Sequence, residues 1–228
     1  MAFSYSSLSK FSSCPASYFY TYIEKSAVFE SSDAARYGQE CHDFLDKAIS
    51  NKIEFTPRYE FLKPVVKAIQ AIPGEIKTEF PLAFNEDWSE STWFAKDSYV
   101  KGKSDVTIIH PTEPRILIKD HKFTSKAGDA EGEKYRAEME MFVLLHTKKF
   151  PEVERIDCGL LWLKERAPET KFKYTKADFA EVEDTVMNRI RQVEDAISFD
   201  RFPRRPSGLC YGWCSCQSCP AWKPKKTK

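Results

Sequence analysis

The chain has 228 residues, 42% of them hydrophobic and 30% charged, with a formal net charge of +1 at pH 7. That length can bury a real core, and the near balance of charge excludes a uniformly basic nucleic-acid binder, so any such contact must come from local patches. No apolar run reaches the length of a membrane span and the polar start from Ser4 carries no signal-like stretch, so an intracellular, cytoplasmic protein with no membrane partner is expected.

In such a compartment the seven cysteines are metal ligands or free thiols rather than disulfides. Residues 4–24 carry Tyr5, Leu8, Phe11, Tyr18, Phe19, Tyr22 and Ile23 near helical spacing. They predict two short helices broken at Cys14-Pro15. Asp33 opens a helix to about Ser50 with Tyr37, Cys41, Phe44, Leu45, Ala48 and Ile49 as its apolar stripe. Gly38 inside it suggests close packing or the approach of a ligand, and His42 follows four residues later. Pro57 starts a third helix, which Pro73-Gly74 stops.

Strands are predicted at 76–84 and across a hairpin in 100–122 with its turn at His110–Pro114. Alternation along the second arm puts Ile116, Ile118, Asp120 and Lys122 on one face. A carboxylate and an ammonium thus leave the end of an apolar strand together, and Asp105, at the start of the partner arm, can meet Asp120. Two convergent carboxylates suit a hard divalent cation such as Mg2+ or Mn2+, and a neighbouring lysine can hold or polarise water.

Beyond a loop at 124–132, a helix is predicted over Glu133–Lys149, strands over 156–164 and 171–174, and a long amphipathic helix over 176–197. This order predicts an α/β fold with a mixed β-sheet core flanked by helices. The expected division is a helical N-terminal lead-in (1–74), a sheet core (75–200) and a cysteine-rich tail (201–228). The tail packs Cys210, Cys214, Cys216 and Cys219 into ten residues, a density that points to one metal or cluster. Its last residues, Lys223–Lys228, read as a loose basic tail.

These elements stand in the order of a known family. Leu8–Pro15 around Cys14, Gly38 with His42, Gly102-Lys-Ser-Asp105, Asp120-His-Lys122 and the closing cysteines together resemble the PD-(D/E)XK nuclease superfamily. Within it, the resemblance is to the RecB-type branch and the CRISPR-associated iron–sulfur exonucleases, including short virus-borne relatives. It implies a restriction-endonuclease-like fold in a single nuclease domain whose tail closes onto Cys14. It also implies a metal-dependent DNA exonuclease acting on single-stranded ends. His42, Asp105 and Asp120 would bind Mg2+ or Mn2+, with Glu79 a less certain ligand, and Lys122 would act on water and phosphate.

The resemblance further implies a 4Fe–4S cluster on Cys14, Cys210, Cys214 and Cys219, with Cys216 as the alternative ligand. It places Glu138 and Phe142 where the family carries Gln and Tyr, which makes Glu138 a substrate or lysine contact of altered chemistry. Lys119–Lys126 and Arg201–Arg205 are expected phosphate contacts, and Tyr135 and Trp222 expected stacking partners for bases. A recombination, replication or CRISPR-adaptation protein is the expected partner, in the host cytoplasm if the chain is viral. The alternative is a non-catalytic nucleic-acid-binding protein with structural Zn2+ in the tail.

Overall fold

The computed structural model describes residues 2–29, 32–124, 126–164 and 168–224; most of the basic tail expected at Lys223–Lys228 lies outside them. The helices are α1 (Tyr5–Ser13), α2 (Pro15–Tyr18), α3 (Asp33–Ile49), α4 (Lys63–Gln70), α5 (Asp129–Gly132), α6 (Arg136–Lys149) and α7 (Phe179–Ser198). The strands are β1 (Glu75–Phe84), β2 (Val100–Ile109), β3 (Arg115–Lys122), β4 (Arg155–Trp162) and β5 (Thr170–Thr175). Two compact units form, one from Asp33–Val186 and one from Phe3–Ser32 with the chain from Met187 onward.

In the first unit the five strands form one sheet in sequence order. All neighbours are antiparallel except β3 and β4, which run parallel because α6 carries the chain back between them. The sheet is therefore mixed and flanked by helices, as expected. One face carries Val106 and Ile108 against Cys41, Phe44, Leu45 and Ile49 of α3 and Val66 and Ile69 of α4. The other carries Ile116, Ile118, Ile156, Cys158 and Leu160 against Met139, Phe142 and Val143 of α6. Each alternate residue of β3 thus serves a different helix layer, which is what carries its C-terminal end between them.

Two helices differ from expectation, each for a local reason. Pro57–Leu62 is a 3-10 helix, and α4 starts at Lys63 with Pro64 in its first turn. Proline has no N–H for an intrahelical bond and clashes with the preceding turn, so Pro64 opens a helix rather than sitting inside one. The helix expected from Glu133 begins with a 3-10 turn, Glu133–Tyr135, and α6 starts only at Arg136, with Tyr135 (φ −100°, ψ 0°) as its N-cap.

In the second unit, Ser4 caps α1 through a reciprocal pair of bonds with Ser7. Cys14 ends α1 in an extended conformation, and Pro15 restarts the chain as α2. Tyr18 is fully buried and stacks on Phe202 with ring centroids 6.4 Å apart. The Ala16 N–H donates to Pro203 O at 3.3 Å and the Val28 N–H to Ser215 O at 2.8 Å, so the first part of the expected lead-in builds one unit with the tail, while its remainder, α3 and α4, packs on the sheet. No helix among the described residues is long and apolar enough to cross a membrane.

Candidate active site

The site forms where β2 leaves β3. Their pairing ends at Val106–Lys119, although the register continued would set Asp105 across from Asp120. Asp105 instead turns its carboxylate into the gap, where Oδ2 accepts the His121 backbone N–H at 2.6 Å. β3 keeps its other partner, pairing with β4 as far as Lys122–Trp162, so its end stays rigid on that side. Gly102, three residues before Asp105, explains how α6 comes close: a Cβ there would stand 2.6 Å from Leu145 Cδ1. Gly38 has no such need, since a Cβ there would only touch Phe123 Cβ at 3.8 Å.

His42 projects from α3 with Nδ1 3.4 Å from Asp105 Oδ2, and His121 Nδ1 lies 3.6 Å from the same oxygen. On the α6 side, Lys122 Nζ lies 2.7 Å from Asp120 Oδ2 and donates to Glu138 Oε2 at 2.6 Å. The Lys122 ammonium also sits 4.4 Å from the centroid of the Tyr135 ring. All seven residues line one open cavity of about 900 Å3, together with Gly38, Lys103 and Phe142. Of the residues expected to hold or serve the divalent ion, Glu79 stands apart from that lining. Its backbone has φ +49°, which interrupts the β1–β2 register opposite Asp105, and its carboxylate is ion-paired with Lys103.

The electrostatics show a cluster short of positive charge. Burial pushes the Asp120 carboxyl well up, and the charges of Glu138 and Asp105 add to that against the pull of Lys122. Burial likewise raises Glu138 against the pull of Lys122. Burial also acts upward on Asp105, but the bond to His42, the His121 charge and the His121 N–H outweigh it and hold this carboxyl below its usual range. Burial acts to lower Lys122, but Asp120 and Glu138 overcome it and hold the ammonium charged far into the basic range. The buried Asp120 Oδ2 has no hydrogen bond of good geometry. His42, Asp105 and His121 bring three donor atoms within 4.8 Å of one another and fit a divalent cation, whereas Asp120, expected as a ligand, is not in that group and turns its Oδ2 to Lys122.

Sequence reasoning missed His121. It was read only as the spacer between Asp120 and Lys122, pointing to the opposite face. Its side chain is nonetheless in the cavity, because the departure of β2 opens that face to α3. The basic stretch expected to bind phosphate is partly engaged elsewhere, since Lys119 is ion-paired with Glu169.

In the second unit, Cys14, Cys210, Cys214, Cys216 and Cys219 line a separate cavity with Arg204, Arg205 and Trp222. The Arg205 N–H donates to Cys14 Sγ at 3.4 Å and the Ser207 N–H to Cys210 Sγ at 3.5 Å. Cys216 is buried, with Sγ 3.4 Å from Ser17 Oγ. Trp222 donates its indole N–H to Cys214 O at 3.0 Å. Among the described residues, His42, Asp105 and His121 form the one group of three metal-ligating side chains with donor atoms within 4.8 Å of one another, so no three cysteine sulfurs come that close.

Comparison with known proteins bears on the fold and the family. The chain is similar to a solved structure titled "Putative exonuclease" from Eubacterium rectale, at 9% identity and a TM-score of 0.58 over 99% of this chain and 91% of that one. It is also similar to an alkaline exonuclease from Laribacter hongkongensis, at 10% identity and a TM-score of 0.37 over 88% of this chain and 91% of that one. No curated protein matches. A family model described as the PD-(D/E)XK nuclease superfamily matches residues 2–223, nearly the whole length, and the chain belongs to that superfamily.

Proposed function

We propose that this protein is a metal-dependent deoxyribonuclease that hydrolyses DNA phosphodiesters, as an exonuclease favouring single-stranded ends. The observation that carries the reading is Lys122, a partly buried ammonium held between Asp120 and Glu138 in the cavity that also contains Asp105 and His42. His42, Asp105 and Asp120 would hold Mg2+ or Mn2+, with Glu79 further out. A divalent ion bound there supplies Lewis acidity, lowering the pKa of water and offsetting charge on the phosphate. The protein's own groups do the rest. Lys122 stays protonated, so it donates hydrogen bonds and cannot be the base. It orients the attacking water and stabilises the charge that builds on the phosphate oxygens. Water adds to phosphorus and gives up a proton, the P–O ester bond breaks, and the departing alkoxide oxygen takes up a proton to leave as a hydroxyl. Asp105, kept ionised by its neighbours, fixes the direction of the His42 ring. Tyr135, which lines the cavity against Lys122, is a candidate stacking partner for a base.

We also propose a 4Fe–4S cluster on Cys14, Cys210, Cys214 and Cys219. Backbone N–H donors on Cys14 and Cys210 suit thiolate ligands. Cys216 is left outside the set on spacing alone, since Cys210, Cys214 and Cys219 are the ones that match the closing cysteines of the resembled family.

End-labelled linear and circular strands, single and double, incubated with Mg2+ or Mn2+ and then with chelator, test the activity. Linear single strands should be degraded only with metal. Asp105→Ala and Lys122→Ala should each lose about 10²–10³ in rate while remaining folded. Rates within a few-fold of wild type for either variant refute the assignment.

A further inference from the structure

We infer that His121 is a metal donor beside His42 and Asp105, forming a two-imidazole, one-carboxylate position that takes a borderline transition-metal ion in preference to Mg2+. This rests on the nuclease reading of the same cavity and adds a ligand and an ion class to it. The distances lie at or just beyond what one ion would set. Two ligands of one ion, with bonds of about 2.0–2.1 Å at tetrahedral to octahedral angles, stand roughly 3.0–3.5 Å apart. The two Nδ1 atoms lie 3.4 and 3.6 Å from Asp105 Oδ2. The longer of these is past hydrogen-bond length, so the contact is not explained as an ordinary bond.

The two fully buried histidines make the contrast. His146, 1% exposed, has both nitrogens matched: Nδ1 donates to Phe142 O at 2.7 Å, and Nε2 lies 2.8 Å from Thr107 Oγ1. That is how a core histidine is satisfied. His121, 3% exposed, has neither. Its Nε2 has no hydrogen-bond partner among the described residues, and its Nδ1 has only the long contact to Asp105. A buried imidazole so placed costs free energy with no structural return, unless something else occupies its lone pair. Imidazole donors suit transition ions such as Zn2+, Fe2+ and Mn2+ better than Mg2+, which prefers oxygen and keeps its waters.

The test uses the full chain without DNA, dialysed free of divalent ions, with Mn2+ as the probe. Loss of the free-Mn2+ spin-resonance signal gives the affinity, and nitrogen spin-echo modulation counts directly bound imidazoles. Wild type should show two, and Zn2+ should displace Mn2+ far more readily than Mg2+ does. His121→Ala, with folding checked by circular dichroism, should show one imidazole and bind Mn2+ about tenfold or more weakly. Mg2+ affinity should change little. The wild-type count decides the matter even if the variant does not fold. A count of one in wild type, or equal competition by Mg2+ and Zn2+, overturns this inference and leaves the nuclease reading standing. No Mn2+ binding at all overturns both.

Discussion

Glu138 and Lys122 meet across the α6–β3 interface, with Lys122 Nζ donating to Glu138 Oε2 at 2.6 Å beside a second carboxylate, Asp120, at 2.7 Å. The ammonium is therefore positioned by two elements, a strand end and a helix first turn, and its aim depends on both.

Glu138→Ala should leave the lysine without its α6 partner, and a displaced catalytic group of this kind costs about 10²-fold in rate. Glu138→Gln keeps an oxygen acceptor for the ammonium while removing a carboxylate whose ionisation burial already disfavours. Its kcat should fall only a few-fold. Equal losses for the two variants would show that the charge matters and the positioning does not.

Gly102→Ala should destabilise the first unit, because the new methyl would meet Leu145 Cδ1 at 2.6 Å in a packed interface. Overpacking of this kind costs about 1–3 kcal/mol. Combining it with Leu145→Val should recover part of the loss. Thermal melts of the single and double variants measure both, and an unchanged Tm for Gly102→Ala would refute the packing argument.

His146 makes stability pH-dependent. Its Nδ1 must carry the proton that it gives to Phe142 O, so Nε2 accepts from Thr107, and burial holds the pKa down at about 4 against 6.5 unfolded. Above pH 6.5 the ring is neutral in both states. As pH falls below 6.5 the unfolded chain takes up a proton that the folded chain refuses until about 4, so stability drops across that window and levels off below it. The full drop from this residue is about 3 kcal/mol. Urea melts of His146→Gln should show a shallower slope between pH 6.5 and 4 than wild type. An identical slope would mean that His146 titrates normally.

Cys14→Ala and Cys219→Ala should lose iron, sulfide and colour together, since both line the same cavity. By analogy with loop closure in a disulfide, tying Cys14 to the tail is worth up to about 5 kcal/mol, so the melting temperature should fall as well. Cys41→Ala and Cys158→Ala, in the α3 stripe and the β4 core, should keep full iron, and so should Cys216→Ala. Metal analysis of this set checks the assignment. A Cys14 variant with full metal content would place the metal on the tail alone.

The sequence by itself determined what depends on short-range periodicity. A strand repeats every two residues, so Asp120 and Lys122 had to share the face of Ile116 and Ile118, and β3 carries them to α6 as that spacing requires. Gly102 before Asp105 and the cysteine density of the tail were legible for the same reason. Local chemistry also held the start of α4, where Pro64 should have been read as a first-turn residue. Only the tertiary structure decided the company of His121. The same period of two assigns it to the opposite face from Asp120. It joins the cavity because β2 and β3 part beyond the Val106–Lys119 pair and α3 brings His42 to the opening, contacts that link residues far apart in the chain. The pairing of Lys119 with Glu169, which takes one expected phosphate contact out of play, is of that kind too. Such meetings follow from how layers pack, and no spacing within one segment encodes them.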